Sequence, residues 1–163
     1  MDEIRWPVKF EPQNTKVFVS NELIMPAPAD RVWAWLLAVK TWPEWYVNSA
    51  NVLVRTPGAE ILAPDVRFRW KTFDVTLESQ VIEFVPERRL AWSATHFGID
   101  AYHAWLLEPL PDGSTRVLTQ ETQNGWLARL SALFLPNRMH KYHQIWLEGL
   151  KAQAERGFPP QQT

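Results

Sequence analysis

The sequence predicts an α+β domain in which a curved antiparallel sheet of about seven strands grips a long, kinked C-terminal helix, with two short helices after the first strand. Three observations carry this. Stretches of alternating apolar and polar residues, punctuated by turn residues, follow one another between Lys16 and Gln123. The two short helical segments that interrupt them come directly after the first stretch. Beyond Gly125 the alternation gives way to an apolar stripe at helical spacing, roughly thirty residues long. A sheet with one dry face and a single amphipathic helix bury both surfaces when the sheet curls round the helix.

The elements follow in chain order. Residues 1–15 hold Pro7 and Pro12 and little periodicity, as expected of an arm laid over the domain. Val17, Val19, Leu23 and Met25 mark the first strand, which Pro26-Ala27-Pro28 stops. A helix then opens at Ala29-Asp30, where a carboxylate suits the first turn. Val32, Trp33, Leu36 and Leu37 carry it to Lys40. Thr41-Trp42-Pro43-Glu44-Trp45 predicts a second short helix, with Thr41 as N-cap and Glu44 at the capping-box position.

Strands follow. Residues 51–55 are short and β-branched. Val66, Phe68 and Trp70 alternate with Arg67, Arg69 and Lys71, giving one dry and one wet face. Over residues 75–85 the alternation slips near 79–82, which predicts a bulge. Pro86-Glu87-Arg88 turns the chain. Leu90, Trp92, Ala94 and His96 share a parity, residues 97–100 read as a turn, and Ala101, His103, Trp105 and Leu107 share the next. Leu110-Pro111-Asp112-Gly113 is a strong hairpin signal, because proline, aspartate and glycine each supply the backbone angle its position needs. Val117, Thr119, Glu121 and Gln123 form the return strand. In the last segment, residues 126–156, the apolar stripe runs through Leu127, Leu130, Phe134, Met139, His143, Trp146, Leu150 and Ala154. Pro136 removes one backbone bond and crowds the preceding turn, so a kink or short break is expected there.

Composition excludes several function classes. The chain has 163 residues, with 17 basic and 18 acidic side chains and no basic run, so it lacks the electrostatic footprint of a nucleic-acid binder. It has no cysteine, which rules out disulfides and thiolate metal sites. The first residues, Met1-Asp2-Glu3-Ile4-Arg5-Trp6-Pro7, do not read as a secretory signal, and no apolar run is long enough for a membrane span. A cytoplasmic protein is the expectation. Ten tryptophans are an excess that suits cavity walls as well as cores, because each is a large apolar body with one N–H to satisfy.

The chain resembles the START-like, or SRPBCC, superfamily, and within it the polyketide cyclase/dehydrase-like branch. The resemblance rests on Pro26-Ala27-Pro28-Ala29-Asp30-Arg31-Val32-Trp33, on Trp42-Pro43-Glu44-Trp45, and on Pro86-Glu87-Arg88-Arg89-Leu90-Ala91-Trp92. It continues through His103-Ala104-Trp105-Leu106-Leu107-Glu108-Pro109, residues 113–117 and 122–125, and Trp146-Leu147-Glu148-Gly149-Leu150-Lys151. It implies a helix-grip domain over residues 16–156, between an arm (1–15) and a polar tail (157–163), with a cavity between the sheet and the last helix. It also implies binding of lipids, polyketides or other hydrophobic molecules, and in some members cyclisation or dehydration. It brings no catalytic motif.

The polar groups that face this cavity follow from register. If Leu110 pairs with Ser114, Trp105 lies opposite Thr119 and His103 opposite Glu121, all on the apolar face. Counting across residues 97–100 sets His96 opposite Ala101 and diagonal to His103. A buried cluster of His96, His103 and Glu121 is therefore expected. Its members satisfy one another, hydrogen-bond a ligand, or act as a general acid/base pair, for which His103 and Glu121 are the catalytic candidates. The expected ligand-binding set is Trp70, His96, His103, Trp105, Thr119, Glu121, Met139, His143 and Trp146. Trp92 is assigned to core packing and Arg138 to solvent. His140 and His143 are three apart, but without a third ligand no metal and no cofactor is expected. The leading expectation is a binder or carrier of a small hydrophobic ligand. A cyclase/dehydrase-type enzyme and a chaperone co-activator-like interaction module are the alternatives.

Overall fold

A computed structural model describes residues 3–160; Met1 and Asp2 of the arm, and Gln161, Gln162 and Thr163 of the expected polar tail, lie outside the described residues. Among the described residues, seven antiparallel strands form one sheet in the order β1-β7-β6-β5-β4-β3-β2. They are β1 (Val17–Met25), β2 (Ala50–Val54), β3 (Arg67–Thr72), β4 (Val75–Val85), β5 (Arg89–His96), β6 (Ile99–Pro109) and β7 (Thr115–Asn124). The helices are α1 (Ala29–Leu37), α2 (Trp42–Trp45), α3 (Trp126–Phe134) and α4 (Arg138–Arg156). From β2 to β7 each strand pairs with its successor, and β1 closes the sheet beside β7. This is the helix-grip arrangement expected from the alternation.

The core lies between the concave face and α4. Trp42, Trp92, Trp105 and Trp146 are fully buried there. The Trp42 ring meets Trp146 edge-on at 5.0 Å and Trp92 tilted at 5.6 Å, the arrangements that ring quadrupoles favour. Its indole N–H donates to the Leu36 carbonyl at 3.2 Å. Residues 101–107 of β6 are buried on both faces. The arm explains the second face: Phe10 stacks on Tyr102 at 5.5 Å, and the Thr122 hydroxyl donates to the Phe10 carbonyl at 2.9 Å.

Local details agree with the sequence reading in some places and correct it in others. The bulge in β4 falls at Ile82, because Val81 pairs with Trp92 while Glu83 pairs with Ala91. The β6–β7 hairpin has the expected register, with Leu110 N–H bonded to the Ser114 carbonyl at 2.8 Å. Thr41 makes no capping bond; its hydroxyl donates to the Ala38 carbonyl, because the 3-10 turn of Val39–Thr41 runs straight into α2. Pro136 gives a break rather than a bend. The α3 helix stops at Phe134, and Arg138 N–H bonds back to Leu135 as α4 begins. The β5–β6 turn is also tighter than expected. It has two residues, Phe97 and Gly98, with Gly98 at φ +79, so His96 pairs with Ile99, and Ala94 rather than His96 pairs with Ala101.

Candidate functional site

The break at Pro136 swings α3 across the open end of the sheet, and a cavity of about 390 Å³ lies beneath it. Trp70, Trp92 and Ile99 contribute its sheet wall, Leu127 and Leu135 its roof, and Met139, His143 and Trp146 its α4 wall. Inward parity on β6 and β7 sets His103 and Glu121 side by side in that wall, since the two residues are direct cross-strand partners. His143 comes down on them from α4, one turn before Trp146.

These three polar side chains are buried, His103 at 3%, Glu121 at 7% and His143 at 1% exposure. One carboxylate oxygen, Glu121 Oε2, lies 3.2 Å from His103 Nδ1 and 3.1 Å from His143 Nε2. The remaining atoms are held from behind. His103 Nε2 contacts Thr119 Oγ1 at 2.7 Å, and Gln123 Nε2 donates to Glu121 Oε1 at 2.5 Å. The His103 ring lies near-parallel to Trp105 at 5.3 Å and to His143 at 4.8 Å between centroids. Burial drives the His103 imidazole down to about 3, with His143 adding to the fall and Glu121 opposing it. For Glu121, burial raises the carboxyl, but the imidazoles of His103 and His143 and the Gln123 amide outweigh it and hold it at about 2. At neutral pH the wall therefore carries a carboxylate beside a neutral His103.

A sequence profile described as polyketide cyclase/dehydrase and lipid transport matches residues 16–155. The chain belongs to this family. A crystal structure of a hypothetical protein from Helicobacter pylori shares 38% identity, covering 94% of this chain and 97% of that one, with a TM-score of 0.88. The Zhui aromatase/cyclase of a Streptomyces species superposes with a TM-score of 0.68 at 17% identity, over 86% of this chain and 94% of that chain. A START superfamily protein of Mycobacterium smegmatis does so with 0.66 at 10% identity, over 85% and 97%. At such identities these last two show the fold alone. A search of curated proteins by sequence matches none.

Within this polyketide cyclase/dehydrase-family fold, Trp70, His103, Glu121, Met139, His143 and Trp146 line the cavity together. His96 does not join them. The two-residue turn carries it to the hairpin tip, where it is exposed and its Nδ1 contacts the Thr76 carbonyl at 2.9 Å. Trp105 and Thr119 stand behind His103 rather than in the cavity wall, because they lie further along β6 and β7 under α4. Trp92 packs in the core and also reaches the cavity. Arg138, assigned to solvent, lies at the cavity mouth, ion-paired with Asp74 at 2.7 Å and over the Phe73 ring. His140 is exposed and is not among the residues lining the cavity; its backbone carbonyl accepts from Asn21 at 3.1 Å. Sequence reasoning missed the α3 roof and Gln123. The roof depends on the angle of the chain at Pro136, which no spacing encodes, whereas Gln123 shares the inward parity of Glu121 and was legible.

Proposed function

We propose that this chain binds a small hydrophobic molecule in the cavity between the sheet and the C-terminal helices, with the His103, Glu121 and His143 edge orienting the molecule's polar end. The observation that carries this is the cavity itself: about 390 Å³, walled largely by aromatic and aliphatic side chains, with the buried His103, Glu121 and His143 cluster in its wall. The buried indole N–H groups of Trp92 and Trp146 have no partner among the described residues, so both are donors available to an oxygen of the bound molecule. Each 100 Å² of apolar surface removed from water contributes about 2.5 kcal/mol, before the cost of association. The family description, which names lipid transport, supports the same reading.

A proton-transfer reaction of the cyclase/dehydrase kind is the second reading, favoured by the imidazole–carboxylate contact at the cavity wall. An interaction module with a packed interior has less support, given the cavity. Native mass spectrometry of freshly purified protein is expected to show a co-purified small molecule, and Met139→Trp, which fills the cavity, to lose it. Absence of any bound molecule, together with no saturable binding of anilinonaphthalene sulfonate, overturns the binding reading. Unchanged turnover of an identified substrate in His103→Ala and Glu121→Ala eliminates the catalytic one.

A further inference from the structure

The arrangement at Glu121 is unusual for a simple hydrogen-bonded cluster. The hydroxyl of Thr119 has one proton, and it faces the Ala104 carbonyl at 3.4 Å. When that hydroxyl accepts from His103 Nε2–H, Nδ1 presents a lone pair toward the carboxylate at 3.2 Å, the tautomer a metal ligand needs. His143 Nε2 lies 3.1 Å from the same oxygen, and this buried nitrogen has no well-aligned hydrogen-bond partner among the described residues. In that tautomer the lone pair and the carboxylate, held this close in a low-dielectric wall, are brought together by a positive charge between them.

We propose that His103 Nδ1, His143 Nε2 and Glu121 Oε2 bind one divalent first-row transition-metal ion, of the zinc or iron(II) class, whose remaining coordination positions face the cavity. The spacing fits. Two cis ligands about 2.1 Å from one ion stand roughly 3.0–3.4 Å apart, with their lone pairs aimed at the ion rather than at each other. The observed nitrogen-to-oxygen separations, 3.2 and 3.1 Å, fall in that range; the three ligand atoms lie within 4.8 Å of one another, and the two nitrogens must stand no more than about 4.2 Å apart once both bind the ion.

The outer atoms are placed as a metal site needs. Thr119 meets the far nitrogen of His103 and Gln123 holds the second carboxylate oxygen, outer contacts of the kind that orient metal ligands. Two imidazoles and a carboxylate are donors for zinc or iron(II); calcium and magnesium prefer all-oxygen sites. The ligands come from β6, β7 and α4, so the ion ties the last helix to the sheet. The site stands whether or not the cavity holds a hydrophobic molecule.

The test uses untagged protein stripped with a chelator, then titrated with Zn(II) by calorimetry, with Co(II) followed by visible absorption, and with Fe(II) under anaerobic conditions. One ion per chain is expected, with Co(II) giving the intense ligand-field bands of a four- or five-coordinate site. Glu121→Gln and His143→Gln should each weaken binding by at least about 100-fold, and Thr119→Val by about 10-fold. His96→Gln and His140→Gln should bind as the parent does. Near-UV circular dichroism checks folding; if His143→Gln misfolds, the near-isosteric Glu121→Gln decides. No binding of any of the three ions, or binding unaltered by Glu121→Gln, overturns the site. So does binding lost equally in His96→Gln or His140→Gln.

Discussion

Replacing Gly125 with alanine tests whether α3 is held over the cavity by one backbone junction. Gly125 sits between β7 and α3 at φ +107 and ψ 160, a region open essentially to glycine alone. A side chain there is strained by about 1–3 kcal/mol. Its Cβ would also lie 2.7 Å from the carbonyl carbon of Gly98 and 3.2 Å from Ile99 N, both backbone atoms of the β5–β6 hairpin. Relief requires the hairpin and the helix start to separate. That movement breaks the bond from Leu127 N–H to the Gly98 carbonyl, which is 3.0 Å long, at a further cost of about 1 kcal/mol. The expected loss is therefore about 2–4 kcal/mol. Gly58→Ala is the control: its φ is +76, but nothing lies within 4 Å of the new Cβ, so only the left-handed strain of about 1–2 kcal/mol applies. Urea denaturation gives both losses, and hydrogen exchange locates them. Exchange in Gly125→Ala should rise in residues 126–134 before the rest of the chain, and exchange of a cavity ligand should quicken. If Gly125→Ala loses no more stability than Gly58→Ala, or α3 keeps its protection, the junction does not hold the roof.

Gly149→Ala should destabilise the protein, although alanine is the better helix former by about 1 kcal/mol. The added Cβ would stand 2.9 Å from the Trp45 carbonyl oxygen and 3.0 Å from its ring, and overpacking of this kind costs about 1–3 kcal/mol. A raised melting temperature in calorimetry would contradict the close packing of α4 on α2. Acidification in the presence of a chelator should weaken the fold from about pH 6.5 downward. His103 binds its proton only near 3 when folded but near 6.5 when unfolded, so the unfolded state gains protons first, and stability falls by up to about 1.4 kcal/mol per pH unit. Glu121, held at about 2, adds a loss of the same sign below about pH 4.5. His103→Gln should flatten the upper part of this slope; an unchanged slope in urea midpoints between pH 6.5 and 4.5 refutes the assignment.

The sheet was legible because period-two alternation and turn chemistry are local. Val66, Phe68 and Trp70 fix the dry face of β3, and Leu110 to Gly113 fix a register that brings His103 to Glu121. The same logic failed at His96 because a four-residue and a two-residue turn both fit Phe97-Gly98-Ile99-Asp100, and each residue added to the turn shifts the pairing. Glycine at φ +79 gives the tighter turn the positive φ it needs at its second position. His143 was placed on an inward stripe, but its partners were not, since the meeting of α4 with β6 and β7 is a long-range packing outcome. The proline break was read correctly as an interruption, while its consequence, a separate roof helix, depends on how the freed segment docks.

The position of the polar cluster is itself an argument about why it exists. His103, Glu121 and His143 lie against Trp92, Trp105 and Trp146, in the most apolar part of the molecule. Leucine or methionine at these three positions would continue the surrounding core and avoid burying a carboxylate, which costs several kcal/mol when its charge is incompletely matched. His103, His143 and Gln123 match the charge in part. The match becomes fuller when something enters from the cavity side to meet these atoms, whether the polar end of a hydrophobic molecule or a cation held between the rings. The same wall that makes the fold less stable than an all-apolar one thus gives the cavity a chemically distinct end, and with it a preferred orientation for whatever binds there.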